Sequence, residues 1–138
     1  MDLIDVIDEV RDALGTITGL RVPEWGEQNI STPAALVIPP DRIDYDETYG
    51  RGADRYPDLQ VVILVDDPTE WRSYAQLAPY LDGAGAKSVK TAIEDYAFTA
   101  CDKESVRLAW GEIDQVSYVG IARLAAVFHI ELMGKGAE

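Results

Sequence analysis

Residues 3 to 14 place apolar side chains at Leu3, Val6, Ile7, Val10 and Leu14, a spacing that gathers them on one side of a helix. Asp2 stands where a carboxylate can accept from the first free N–H groups, and Gly15 where a left-handed glycine ends a helix without a Cβ clash. Residues 20–22 suggest a short strand, and the proline-bounded stretch 23–33 a loop. Ala34 to Ile38 is an apolar run closed by Pro39 and Pro40, neither of which can donate to a ladder, so a strand stops there. Asp41 to Glu47 suggests a further extended piece. The segment 48–57, TYGRGADRYP, mixes two glycines with alternating charge, so a flexible charged loop is expected at about 46–57. Leu59 to Val65, LQVVILV, reads as a central strand covered on both faces.

Asp67-Pro68-Thr69-Glu70 predicts a helix start, with Asp67 as cap, Pro68 at the first helical position and Glu70 reaching back. Trp71, Tyr74, Ala75, Ala78 and Leu81 would share one side of that helix, and Pro79 would kink or shorten its last turn. After the break Asp82-Gly83-Ala84-Gly85, Ser88 can cap a third helix bearing Val89, Ala92, Ile93 and Tyr96. Val106 to Ile113 and Tyr118 to Met133 predict a terminal hairpin turning near Asp114-Gln115. In its second strand Ala122, Leu124, Ala126, Phe128, Ile130 and Leu132 fall on one face, opposite Arg123, His129 and Glu131. The order predicts an α+β domain: a largely antiparallel sheet, with mixed pairing left open, packed against an N-terminal helix and a central helix pair.

At 138 residues the chain is one domain, 1–138. Its 25 Asp and Glu against 12 Lys and Arg give a formal charge of -13, which argues against a phosphate-backbone binder, because that affinity comes from cations displacing counterions. One cysteine, Cys101, cannot form an intrachain disulfide, and no Cys/His spacing suggests zinc. The acidic N-terminus is unlike a signal peptide, and no apolar run approaches a transmembrane length, so no membrane partner is expected.

Candidate chemistry is sparse. Gly83-Ala84-Gly85-Ala86-Lys87-Ser88 has the flavour of a phosphate loop but lacks glycine before the lysine and follows a helix, so it reads as a helix–helix turn. Asp41, Asp44, Asp46 and Glu47 could hold a hard cation only if a tight loop made them converge, and a solvated acidic edge is the simpler reading. His129 with Glu131 on one strand face could move a proton, yet no nucleophile or metal companion accompanies it. Asp102 beside Cys101 opposes a thiolate. No catalytic constellation emerges, so neither an enzyme nor a cofactor is expected. Tyr49, Gly50, Arg51, Gly52, Asp54 and Arg55 instead combine glycines with residue types that anchor interfaces.

These signatures, Pro33-Ala-Ala-Leu-Val-Ile-Pro-Pro-Asp41, Ile43-Asp-Tyr-Asp46, Gly50-Arg-Gly52, Asp54-Arg55, Tyr80-Leu-Asp-Gly83 and Ser88-Val-Lys90, resemble tail terminator proteins of long-tailed (siphovirus-type) phages of actinobacteria. The resemblance covers nearly the whole chain. It implies a virion structural protein, made in the host cytoplasm and placed at the head–tail junction. Six copies would form a ring on the last tail-tube ring, stop polymerisation and offer a surface to the head-completion or connector protein. Its partners would be itself as a homohexamer, the tail tube protein and that connector protein. The six loop residues, Tyr49 to Gly52 with Asp54 and Arg55, become candidates for subunit or tube contacts.

Six copies at -13 each would carry -78, and carboxylates in a lumen would let DNA pass without sticking. A ring also needs two different patches meeting head to tail. Alternatives are a neighbouring head-completion or neck protein, an acidic DNA-mimic inhibitor of a nucleic-acid enzyme, and a metal-assisted hydrolase using Asp41 to Glu47. The DNA-mimic reading needs a dense acidic face, whereas Asp5, Asp8, Glu9 and Asp12 read as an ordinary solvated helix side.

Overall fold

In the computed structural model, which describes residues 2–23, 31–45, 53–118 and 120–135, the amphipathic N-terminal segment is helix α1 (Leu3–Gly15). The Asp2 carboxylate caps it, accepting from the N–H of Ile4 at 2.9 Å and of Asp5 at 3.1 Å. Such a cap is worth about 1 kcal/mol. Val6, Val10, Ala13 and Leu14 are fully buried. The helix ends at Gly15, but the left-handed residue of this turn is Gly19, at φ +84°.

Four strands follow: β1 (Ala34–Ile38), β2 (Ala53–Leu64), β3 (Arg107–Tyr118) and β4 (Ile121–Lys135). They form an antiparallel sheet in the order β1-β2-β4-β3. A lone parallel bridge, Arg21 to Ala34, lies outside the strands. β2 starts six residues earlier than its apolar run, because Ala53 to Tyr56 pair with Lys135 to Leu132 at the end of β4. Of the expected loop at 46–57, residues 53–57 are therefore strand, the rest lying outside the described residues, and a register shift between Tyr56 and Leu59 separates this polar part from the apolar part.

Helices α1, α2 (Trp71–Leu81) and α3 (Val89–Asp95) cover one face of the sheet. There Leu59, Val61 and Ile63 of β2 meet Leu124, Ala126, Phe128, Ile130 and Leu132 of β4 in the main core. The face predicted for β4 enters this core from Leu124 to Leu132, while Ala122 at its start is exposed. Each such large aliphatic or aromatic side chain contributes roughly 1.5–3 kcal/mol by leaving water. The opposite face carries a smaller buried cluster, Leu36, Val62, Leu64, Ala125 and Val127.

Two elements differ from the sequence reading. α2 begins at Trp71, because Asp67 closes a local turn on the N–H and hydroxyl of Thr69, both 2.8 Å away, and Glu70 caps without a side-chain bond. The helix accommodates Pro79 and buries Ser73, Leu77 and Tyr80, leaving Trp71, Tyr74, Ala75 and Ala78 exposed. The terminal hairpin stays paired as far as Tyr118 and Ile121, well beyond Asp114-Gln115, and Gly120 at φ +77° supplies the conformation a tight turn needs. Ser88 caps α3 as expected, accepting from the Thr91 N–H at 3.2 Å. No helix among the described residues is long and apolar enough to cross a membrane.

Candidate interaction surface

Alternation along the strands sends Asp58 and Gln60 of β2, His129 and Glu131 of β4, and Trp110 and Glu112 of β3 to the face away from the helices. Arginines and carboxylates alternate across one end of this face. Arg42, after β1, grips Asp44 through Nε at 2.8 Å and Nη2 at 3.0 Å. Asp44 lies 3.6 Å from Arg55, which donates to Glu131 at 2.9 Å, and Glu131 accepts from Arg107 at 3.0 Å. The Arg42 guanidinium beside it holds the Asp44 carboxyl below its ordinary range. The central members are about two-thirds to four-fifths covered, whereas the terminal arginines are mostly exposed. A pair at the exposed ends contributes about 0.2–1 kcal/mol.

This ladder also fixes the ends of the candidate loop. Asp44 and Arg55 exchange backbone hydrogen bonds at 2.8 and 2.7 Å, so the segment after β1 is tied to the first part of β2. Arg55 is committed to carboxylates within its own chain, and Asp54 sits in β2 opposite Gly134. Of the six predicted contact residues these two are strand residues; Tyr49, Gly50, Arg51 and Gly52 lie outside the described residues. Asp46 and Glu47 do so too, and Asp44 is spent on arginines rather than on a cation cluster.

The next row centres on His129, which is 7% exposed. Its Nδ1 lies 2.6 Å from Asp58 Oδ1, and its Nε2 lies 3.4 Å from Glu112 Oε1. The Trp110 ring stacks on the imidazole with centroids 3.7 Å apart and planes 9° apart. A ring protonated at both nitrogens donates to both carboxylates, while a neutral ring donates to one. Asp58, Glu112 and Trp110 reach the histidine only through strand register, so its proximity to Glu131 along the chain was the wrong clue. The row ties β2, β4 and β3 together laterally and presents no nucleophile.

The two sheet edges are unequal. Ala34, Ala35, Leu36 and Val37 of β1 are at most 4% exposed, and Arg21 exchanges backbone bonds with Pro33 and Ala35 along this edge. β3 is twelve residues long and has no partner strand on its outer side among the described residues. Local acids satisfy parts of it: Glu94 accepts from the Leu108 N–H at 3.1 Å, and Asp114 from the Gln115 N–H at 2.7 Å. Between them Trp110 and Ile113 are 53% and 50% exposed. Gly111 lets the Phe128 ring approach β3, since a Cβ there would sit 3.1 Å from Cδ1.

Cys101 is buried, and burial, followed by the nearby Glu9 and Asp102 charges, pushes its thiol up to about 11. That makes a thiolate at neutral pH rare. No protein-family model matches the chain, and no curated protein does.

Proposed function

We propose that this chain is a structural ring subunit of the tail-terminator kind, six copies of which cap a phage tail tube, stop its growth and present a surface to the head's connector at the virion's head–tail junction. The observation that supports this best is the inequality of the sheet edges. β1 is covered, while β3 has no outer partner strand among the described residues and bears half-exposed Trp110 and Ile113. A body with two unlike surfaces, the β3 edge and a separate exposed aromatic helix face, suits heterologous contacts, which give a ring when their rotation closes. The loop and turn signatures that resemble tail terminators point the same way.

Charge completes the reading. The acidic balance disfavours adhesion to DNA, which such a ring passes without holding. No cofactor and no reaction belong to this function. Particle mass measured over a range of concentrations, alone and with purified tail tubes, tests it. The expected result is a six-fold particle on tube ends. A chain that stays monomeric even with tubes overturns the proposal.

A further inference from the structure

The sheet face away from the helices carries, on its β3 side, an aromatic ring among carboxylates. Register places Trp110, Glu112 and Asp114 of β3 on this face, next to His129 of β4 and Asp58 of β2. One side of the Trp110 ring is taken by the His129 imidazole, 3.7 Å away and nearly parallel. Because Trp110 is still 53% exposed, the other side of the indole meets water. Beside it the side chains of Asp58 and Glu112 are each 47% exposed, and Asp114 is exposed. Three carboxylates at -1 each give this patch a charge of -3, or -2 when the one imidazole is protonated. Arg55 and Arg107 of the neighbouring row are held by Glu131, and Arg123, opposite Val116, lies beyond Asp114 toward the end of the hairpin.

An exposed indole face attracts cations through its ring quadrupole, more strongly than any other aromatic side chain. A planar guanidinium stacks on such a face and keeps its N–H groups free for a carboxylate. We propose that this face is the docking surface for a basic segment of a partner protein, whose arginine stacks on the outer side of Trp110 and pairs with Glu112. Charge complementarity selects that occupant. A second copy brings -13 of its own and is repelled by a patch of the same sign, as nucleic acid is, whereas an arginine-bearing segment is drawn in.

Ile113, in register with Ala126 on the helix-bearing side of the sheet, takes no part in this patch. The inference goes beyond the ring reading and does not rest on it. It leaves the backbone edge of β3 and the outward face of α2 to contacts between copies, and gives each copy a separate surface for a protein of opposite charge.

The whole acidic chain would gather a basic peptide diffusely, so the decisive variants are compared at equal charge. Calorimetric titration of the full chain at low salt, with a short peptide of alternating Arg and Ser and with its Lys–Ser counterpart, tests the proposal. The Arg peptide is expected to bind several-fold tighter than the Lys peptide, and more weakly as salt rises. W110A, which changes no charge, should lose about tenfold in affinity. E112Q should lose about threefold relative to D8N, which removes the same charge from α1 on the other side of the sheet. Because Trp110 also packs on His129, D114N is the second variant: it leaves the stacked pair in place and should weaken binding as E112Q does. W110A binding as tightly as wild type, or E112Q and D114N no weaker than D8N, means that net charge alone gathers the peptide and overturns the proposal. Equal binding of the two peptides removes the arginine anchor. Self-association of the unliganded chain that W110A abolishes makes a second copy the occupant and overturns it as well. A chain that forms no ring yet shows the expected losses keeps this surface and loses the ring.

Discussion

Glu9 links α1 to the segment after α3, and removing it should cost far more than removing its acidic neighbour Asp8. It projects from α1 to the segment after α3, where its carboxylate accepts from the Thr99 N–H at 3.0 and 2.9 Å, from the Thr99 hydroxyl at 3.1 Å and from the Ala100 N–H. Hydrogen bonds to a charged group are each worth about 1.5–3 kcal/mol when sheltered. Several of these are exposed, and water can replace a lost acceptor, so the set is worth about 2 kcal/mol for Glu9→Ala. With an unfolding entropy of ~2.1 cal/mol/K per residue, the whole chain has ~0.29 kcal/mol/K, and the midpoint should fall by about 7 °C. Asp8→Ala, on the exposed side of the same helix with a 3.9 Å ion pair to Arg11, should change stability by ~0.5 kcal/mol or less. Thermal and urea unfolding of both variants is the assay. Equal effects from the two substitutions, or no loss in Glu9→Ala, would refute the tether.

Three further outcomes follow from the same reasoning. Burial opposes ionisation of Glu94, but the Lys90 ammonium 2.5 Å away, the Leu108 N–H and the Lys90 and Arg107 charges outweigh it and lower the carboxyl below its ordinary 4.5. The stability this adds is present above that value and lost as pH falls through the folded one, so the gap between wild type and Glu94→Gln in urea midpoints should narrow below pH 4.5 and stay constant above about pH 6. Cys101, buried with its thiol near 11, should resist a thiol reagent at pH 8 in the folded chain and react at once in urea; rapid labelling without denaturant would contradict its placement. Arg51→Glu should leave the circular dichroism spectrum and melting unchanged while tubes assembled with it grow overlong; normal tube lengths would remove the loop from the contact.

Local signals in the chain were good guides where local physics decides. The apolar spacing from Leu3 to Leu14, the Asp2 and Ser88 caps and the prolines after Ile38 each act within a turn, and each element formed as they require. α2 misled because two stripes in WRSYAQLAPYL have helical spacing. The side that carries Trp71, Tyr74, Ala75 and Ala78 stands out in the sequence, yet Ser73, Leu77 and Tyr80 are the residues that pack. Asp54 and Arg55 looked like loop because they sit in a stretch of two glycines and alternating charge; Asp44 and Glu131 reach Arg55 only through strand pairing. The hairpin turn was sought at Asp114-Gln115 because polar residues usually mark turns, but an edge strand facing water carries them within its length. Glu9 and Thr99 are ninety residues apart, as no spacing rule could show. The row of Asp58, His129 and Glu112 likewise exists only in the folded register.

The central claim is that this polypeptide ends tube growth. Electron microscopy of virus particles assembled without it measures this directly. The account predicts tubes well beyond the normal length and detached from heads. Tubes of normal length, properly ended but lacking heads, would contradict it.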